Sequence, residues 1–264
     1  MPILTTHKQI QELRHLSFCY ICGRTFGDND GKNRDHVPPK SAFAKSDRNV
    51  PIALPTHIAC NSKFKLIDEK IGQVIALKHG KAPSPKNWRL SIRTFDSPTG
   101  GSPLGVVSNL DIPGAIRRWV RAFHSALYRG PMPDGARFAI QTPFPSAKLS
   151  TGKPDFDAIP AQHELFVKTI KLNRAAANLD EIRCNNGKLV YQCVWVPADN
   201  GVWICVFALD IYNWKDLGDV NNFAARGCAG SYVLPAGLTP RFATKGTNLI
   251  AEAGNADKLD PFSN

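Results

Sequence analysis

Two widely spaced residue pairs, Cys19-x-x-Cys22 and His57-x-x-Cys60, constrain this chain more than any other feature in it. A two-residue spacer lets both side chains of a pair face one point, so each pair offers two corners of a tetrahedron. Together they supply the four ligands that zinc favours. If all four hold one ion, the stretch from Gly23 to Thr56 is closed into a loop far longer than that of a small zinc finger. Gly23, directly after the first pair, allows the chain to turn back beneath a metal. The other reading leaves Cys60 as a core thiol and His57 as a surface residue. The chain has seven cysteines, and those outside the pairs are Cys184, Cys193, Cys205 and Cys228. Cys193 and Cys205 sit in apolar, strand-like runs and read as buried free thiols. A hairpin centred on Asp199 sets them opposite each other, and a one-residue change of register separates them.

With 264 residues and 29.0 kDa the chain can bury one large core or two smaller ones. A formal net charge of +11 and a pI near 9.4 predict attraction to polyanions, of which nucleic acid is the commonest partner. A basic but unspecialised surface is the alternative. The first residues lack a basic stretch followed by an apolar run, and the expectation is a cytoplasmic protein without a membrane partner. The apolar stretches between Leu189 and Leu209 are interrupted by Pro197-Ala198-Asp199-Asn200-Gly201, which predicts a hairpin turn and not a membrane span.

Pattern and punctuation predict an α+β fold. A short helix is expected over 7–16, a loop over 25–34, and a short strand through Arg34-Asp35-His36-Val37 ended by Pro38-Pro39. A second strand is expected over 50–54. Phe64, Ile67, Ile71, Val74 and Ile75 then recur at three- and four-residue intervals, which predicts a helix over 58–78 with Cys60 and Asn61 in its first turn. The Pro-rich segment 81–86 reads as a linker, placing a boundary near residue 85 between an N-terminal domain, 1–85, and a larger mixed α+β domain, 86–264. In the latter, strands are expected over 88–95 and 104–110 and helices over 112–128 and 161–179. On the first of these helices Ile116, Trp119, Val120, Phe123 and Leu127 share one side, while Arg117, Arg118, Arg121, His124 and Arg129 share the other. That second face is expected to be exposed and positive.

Asp35-His36 lies inside the loop that the two pairs would close. A ligand at Cys60 draws the start of the following helix toward the strand carrying Asp35, and Asn61 comes with it. One carboxylate and one amide oxygen make a site that magnesium accepts, with waters that phosphate oxygens can replace. His36, beside such an ion but not bound to it, could take a proton from water near neutral pH.

In the order Cys19-x-x-Cys22, Asp35-His36, Asn49, His57-x-x-Cys60 and Asn61, residues 19–70 resemble an HNH endonuclease of the zinc-stapled ββα-metal type. The resemblance implies an N-terminal ββα-metal core with a structural zinc. It makes His36 the general base and gives Asp35 and Asn61 one catalytic divalent ion, magnesium or another. By the same resemblance Asn49 holds the loop so that His36 points correctly, and in-line hydrolysis leaves a 5′-phosphate and a 3′-hydroxyl. Two features depart from the pattern: His57 stands where cysteine is usual, and the stretch from His36 to Asn49, with Pro38-Pro39 and Phe43, is not Gly-rich. Asn49 can equally be an ordinary loop residue. Around this segment Lys32, Arg34, Lys40, Lys45, Arg48, Lys63 and Lys65 are candidates for nucleic-acid backbone contact. Arg117, Arg118 and Arg121 form a second candidate group.

The expected function is therefore a metal-dependent HNH endonuclease acting on DNA, with 86–264 positioning substrate or gating the nuclease through a bound effector. The competing expectation is a non-catalytic, zinc-stabilised nucleic-acid-binding protein in which Asp35 and His36 are structural.

Overall fold

The computed structural model describes residues 3–78, 89–96, 104–142, 147–150, 153–156, 161–198, 201–212 and 227–238. The fold is α+β and is organised around a six-stranded sheet. Its strands are β1 (Ile3–Leu4), β6 (Arg137–Gln141), β9 (Asp180–Cys184), β10 (Leu189–Pro197), β11 (Trp203–Ile211) and β12 (Cys228–Val233), in the order β1-β9-β10-β11-β12-β6. All neighbours are antiparallel except β1, which pairs parallel with β9. Hairpins β4 (Ile92–Phe95)–β5 (Leu104–Val107) and β7 (Ala147–Ser150)–β8 (Lys153–Phe156) stand outside this sheet.

Both faces of the sheet are covered, which is why β10 and β11 are apolar almost throughout and do not alternate with polar residues. Val194, Val196, Ile204, Val206 and Ala208 point to one side, against Phe166, Val167 and Ile170 of α5 (Ala161–Ala175). Tyr191, Cys193, Trp195, Cys205 and Phe207 point to the other, against Trp119 and Phe123 of α4 (Ile112–Tyr128). Helix α4 begins where Asp111 accepts a hydrogen bond from the Gly114 amide at 2.8 Å, and it ends at Arg129 in a left-handed conformation. Its expected apolar stripe, Ile116, Trp119, Val120, Phe123 and Leu127, is buried.

The opposite face of α4 differs from expectation, because Arg118 and His124 are buried as well. His124 turns toward the large sheet, where its Nδ1 lies 2.9 Å from the Tyr232 hydroxyl, whereas Arg118 is covered by a second layer: the hairpin of β2 (Lys32–His36) and β3 (Ala53–His57), followed by α2 (Ile58–Ser62) and α3 (Lys65–Lys78). The single helix expected over 58–78 is split at residues 63–64, where Phe64 packs under the Arg118 guanidinium at 4.5 Å. Helix α3 passes close to the turn at 40–42. A Cβ added to Gly72 would lie 2.2 Å from Ser41 Oγ, so glycine is what permits this approach.

The expected linker and boundary near residue 85 lie outside the described residues. On either side of them the packing is continuous: Val37, Phe43, Ile52, Leu54 and Ile71 belong to the same buried cluster as Trp119, Phe123, Tyr191 and Phe207. The Tyr212 hydroxyl accepts from the Ala44 amide at 2.7 Å and donates to Asp47 at 2.9 Å, fastening the 37–52 loop to the end of β11. Cys184, Cys193, Cys205 and Cys228 form no disulfide. In the β10–β11 register Cys193 faces Phe207 and Cys205 faces Trp195, so the hairpin is centred one residue beyond Asp199 and the two thiols are diagonal neighbours. Among the described residues no helix is long and apolar enough to cross a membrane.

Candidate metal centre and the strand beside it

The knuckle forms as the sequence suggests. Gly23 takes φ +74°, its amide donates to the Cys19 carbonyl at 2.8 Å, and the Cys19 amide donates to the Arg24 carbonyl at 2.9 Å. That tight turn aims Cys19 and Cys22 at one point. Strand β3 delivers His57 to the same point, and the first turn of α2 brings Cys60. The four ligand atoms lie within 4.8 Å of one another. Zinc–sulfur bonds of about 2.3 Å imply tetrahedral edges of about 3.8 Å, so the cluster needs only a small contraction to hold a zinc ion. Among the described residues this is the only such group of histidine, cysteine and acidic side chains.

Two further observations fit a cation here. Burial opposes ionisation of Cys22, but hydrogen bonds from Arg24, Cys19 and His57 outweigh it and hold this thiol at about 6. Burial and the neighbouring thiolates push Cys60 the other way, up to about 11. Three sulfurs so close cannot all ionise unless a cation joins them. His57 also has its tautomer arranged: Nδ1 faces Cys22 Sγ at 3.4 Å, whereas Nε2 lies 3.2 Å from Asp30 Oδ2. Asp30 therefore accepts the Nε2 proton, and Nδ1, whose hydrogen bond to Cys22 a metal would replace, is the nitrogen aimed into the cluster. The Asp30 carboxylate is itself anchored by the Gly27 amide at 2.7 Å. Replacing Asp30 with alanine is expected to weaken zinc binding about 10- to 100-fold in a competition titration with a chromophoric chelator while leaving the fold intact.

Strand β2 carries the remaining sequence candidates, and alternation sends them to opposite faces. Asp35 points inward and is 6 % exposed. Its Oδ2 accepts hydrogen bonds from the Tyr20 hydroxyl and from Arg118 Nη1, the latter at 3.3 Å. Arg118, 4 % exposed, also donates through Nη2 to Asp68 Oδ1. Burial raises both carboxyls, Asp68 to about 6, although Arg118 pulls each of them down. Arg118 is thus not a nucleic-acid contact: it is the buried counter-ion of two carboxylates. Of its helix neighbours, Arg117 is exposed and Arg121 pairs with Asp134 at 3.5 Å.

Asn61 lies on the same side as Asp35 but reaches Asn33, two residues earlier on β2, with Nδ2 donating to Asn33 Oδ1 at 3.4 Å. Thr56 donates to the same oxygen at 2.5 Å. Asp35, Asn33 and Asn61 are hard oxygen donors of the kind magnesium takes. In this arrangement, however, the charge of Asp35 is balanced by Arg118.

His36 is half-buried on the other face of β2. Burial, then the positive charges of Lys40 and Arg14, lower it to about 4, so it is neutral at physiological pH. Asn49 donates to Asn186 Oδ1 at 3.1 Å, and Asn186 donates to the Ser46 carbonyl at 3.2 Å. Asn49 therefore braces the loop against the turn after β9, not against His36. Arg34, Lys40 and Lys63 are exposed, as candidates for phosphate contact must be.

Sequence reasoning overlooked Asp30, Asn33, Tyr20 and Asp68. Asn33 carried a usable signal, because it shares a strand face with Asp35; the others depend on distant partners. Comparison of the chain with family models, curated proteins and solved structures finds no match.

Proposed function

We propose that the chain is a metal-dependent HNH-type endonuclease that hydrolyses phosphodiester bonds in DNA. The observation that carries this reading is the order of elements tied together at the Cys19, Cys22, His57, Cys60 cluster: a strand ending in Asp35-His36, a second strand, and a helix with Asn61 one residue past the last ligand. In this reading zinc at the cluster is structural. His36, kept neutral by its surroundings, accepts the proton of the attacking water at Nδ1 or Nε2. Asp35 and Asn61 would hold the divalent ion, whose chemistry is to offset charge on the phosphate and the departing oxygen. Asn33 and Thr56 steady Asn61, and Tyr20 fixes the orientation of Asp35.

Plasmid nicking with magnesium, with and without EDTA, tests this directly. His36→Ala is expected to lose about 10²- to 10⁴-fold in rate. Equal rates for wild type and variant would remove His36 from the mechanism. The pH profile is a second check. A neutral base works and a protonated one does not, so a group held at about 4 leaves the acid limb well below the 6.5 of an ordinary histidine.

The pairing of Asp35 with Arg118 favours a second reading, a zinc-stabilised nucleic-acid-binding protein without catalysis. DNA binding that survives His36→Ala, with no nicking under any divalent ion, would select it.

A further inference from the structure

An open groove of about 500 Å³ runs along the outward face of β2, between that strand and the turn after α1 (His7–Glu12). Lys32 and Arg34 line it from the strand, Arg14 and His15 from the turn, with Phe26 and Pro55 as apolar floor. Among the described residues no acidic side chain lines it. Alternation puts Lys32, Arg34 and His36 on one face of β2, so the groove's cations and His36 share a side. Arg14 is also one of the charges acting on His36, which joins the groove to that residue. No ion pair to a described residue engages Arg14, Lys32 or Arg34; Lys32 sits over the Phe26 ring at 5.0 Å, and Phe26 packs edge-on against His57 at 4.9 Å. The groove wall is thereby fixed to a member of the metal cluster.

We infer that this groove is the track for the phosphodiester backbone of bound DNA, leading it past Arg34 and Arg14 toward His36. Three cations with no acidic partner among the described residues, held on a strand and a turn that the cluster and the core keep rigid, form a surface for successive phosphates. Such cations grip the backbone without reading bases, because the groove offers charge and not a pattern of donors and acceptors matched to base edges. The inference rests on the nuclease reading for its direction toward His36, but the groove itself makes a separate prediction about binding.

The test is the salt dependence of duplex binding, measured by fluorescence anisotropy of a labelled oligonucleotide without added magnesium, so that nothing is cut. Removing one cation from a phosphate reduces the slope of log K against log salt by about 0.9. The triple variant Arg14→Ala, Lys32→Ala, Arg34→Ala is expected to reduce it by about 2 to 3 and to weaken binding at least about tenfold at fixed salt. Arg183→Ala, an exposed arginine on β9 outside the groove, is expected to leave the slope unchanged. Zinc content and thermal melting confirm folding of the variants. Should the triple variant misfold, the single reversal Arg34→Glu on the exposed strand face reads the same effect. An unchanged slope in the folded variant overturns the groove. Loss of slope together with the absence of nicking by wild type keeps the groove and overturns the nuclease. Nicking by wild type with an unchanged slope does the reverse.

Discussion

Stripping metal from the protein with a strong chelator is expected to lower its melting temperature more than any single surface substitution does, and to abolish the ordered β2–β3 hairpin. Structural zinc contributes on the order of 10 kcal/mol or more in small zinc-dependent units, comparable to the whole stability of a typical domain. The dependence here is not confined to a small appendage. Phe18 and Tyr20, on either side of Cys19, are buried in the same cluster as α4 and the large sheet. Releasing the knuckle therefore loosens packing well beyond it, and one cooperative transition at lower temperature is expected in calorimetry, not the melting of a detached zinc unit. Cys60→Ser should reproduce the effect of chelation, and Cys228→Ser, distant in sequence from the cluster, should not. Identical melting curves with and without chelator would show that the four residues carry no structural metal.

Arg118→Met is expected to destabilise the fold by about 3 to 5 kcal/mol, read from denaturant unfolding. The substitution keeps the apolar stem of the side chain but removes the guanidinium that lies over Phe64, and with it the positive charge between Asp35 and Asp68. Two buried carboxylates would then face each other with only the Tyr20 hydroxyl to help. The penalty depends on pH with a definite sign. Asp68 already ionises at about 6 in the folded protein against 3.8 for an ordinary aspartate, and loss of Arg118 moves it further up. A carboxyl whose folded value is raised binds its proton more tightly when folded, so the deficit shrinks as pH falls through that value. The variant should accordingly lose least near pH 5 and most near pH 8. Adding Asp35→Asn and Asp68→Asn to Arg118→Met should recover most of the loss, since neutral amides need no counter-ion. A variant as stable as wild type at pH 8 would mean that the ion pairs are incidental.

How much was legible in the sequence follows from how local each signal is. The cluster ligands were readable because each pair is set by a two-residue spacer, and α4 because its apolar stripe lies within one segment. The hairpin of β10 and β11 was readable, but its register was not, since one residue in the turn decides which side chains face each other. The turn Asn185-Asn186-Gly187, all at positive φ, carries a hairpin signal that was passed over, and β9 was lost with it. Arg118 illustrates a different limit. A helical wheel assigns one buried face, and nothing near Arg118 in sequence reveals that β2, more than eighty residues earlier, covers the other. Asp30 was unreadable for a related reason: its role exists only once His57 has been placed. The continuity of the core across residue 85 likewise reflects packing between segments that composition treats as separate.

The most direct test of the account is the zinc K-edge absorption spectrum of purified protein. Three sulfurs at about 2.3 Å and one nitrogen at about 2.0 to 2.1 Å are expected, with one zinc per chain, from Cys19, Cys22, Cys60 and His57 Nδ1. Four sulfurs, an oxygen-dominated shell, or zinc that washes out at neutral pH would contradict it, and with it the staple that holds Asp35, His36 and Asn61 within one strand–strand–helix unit.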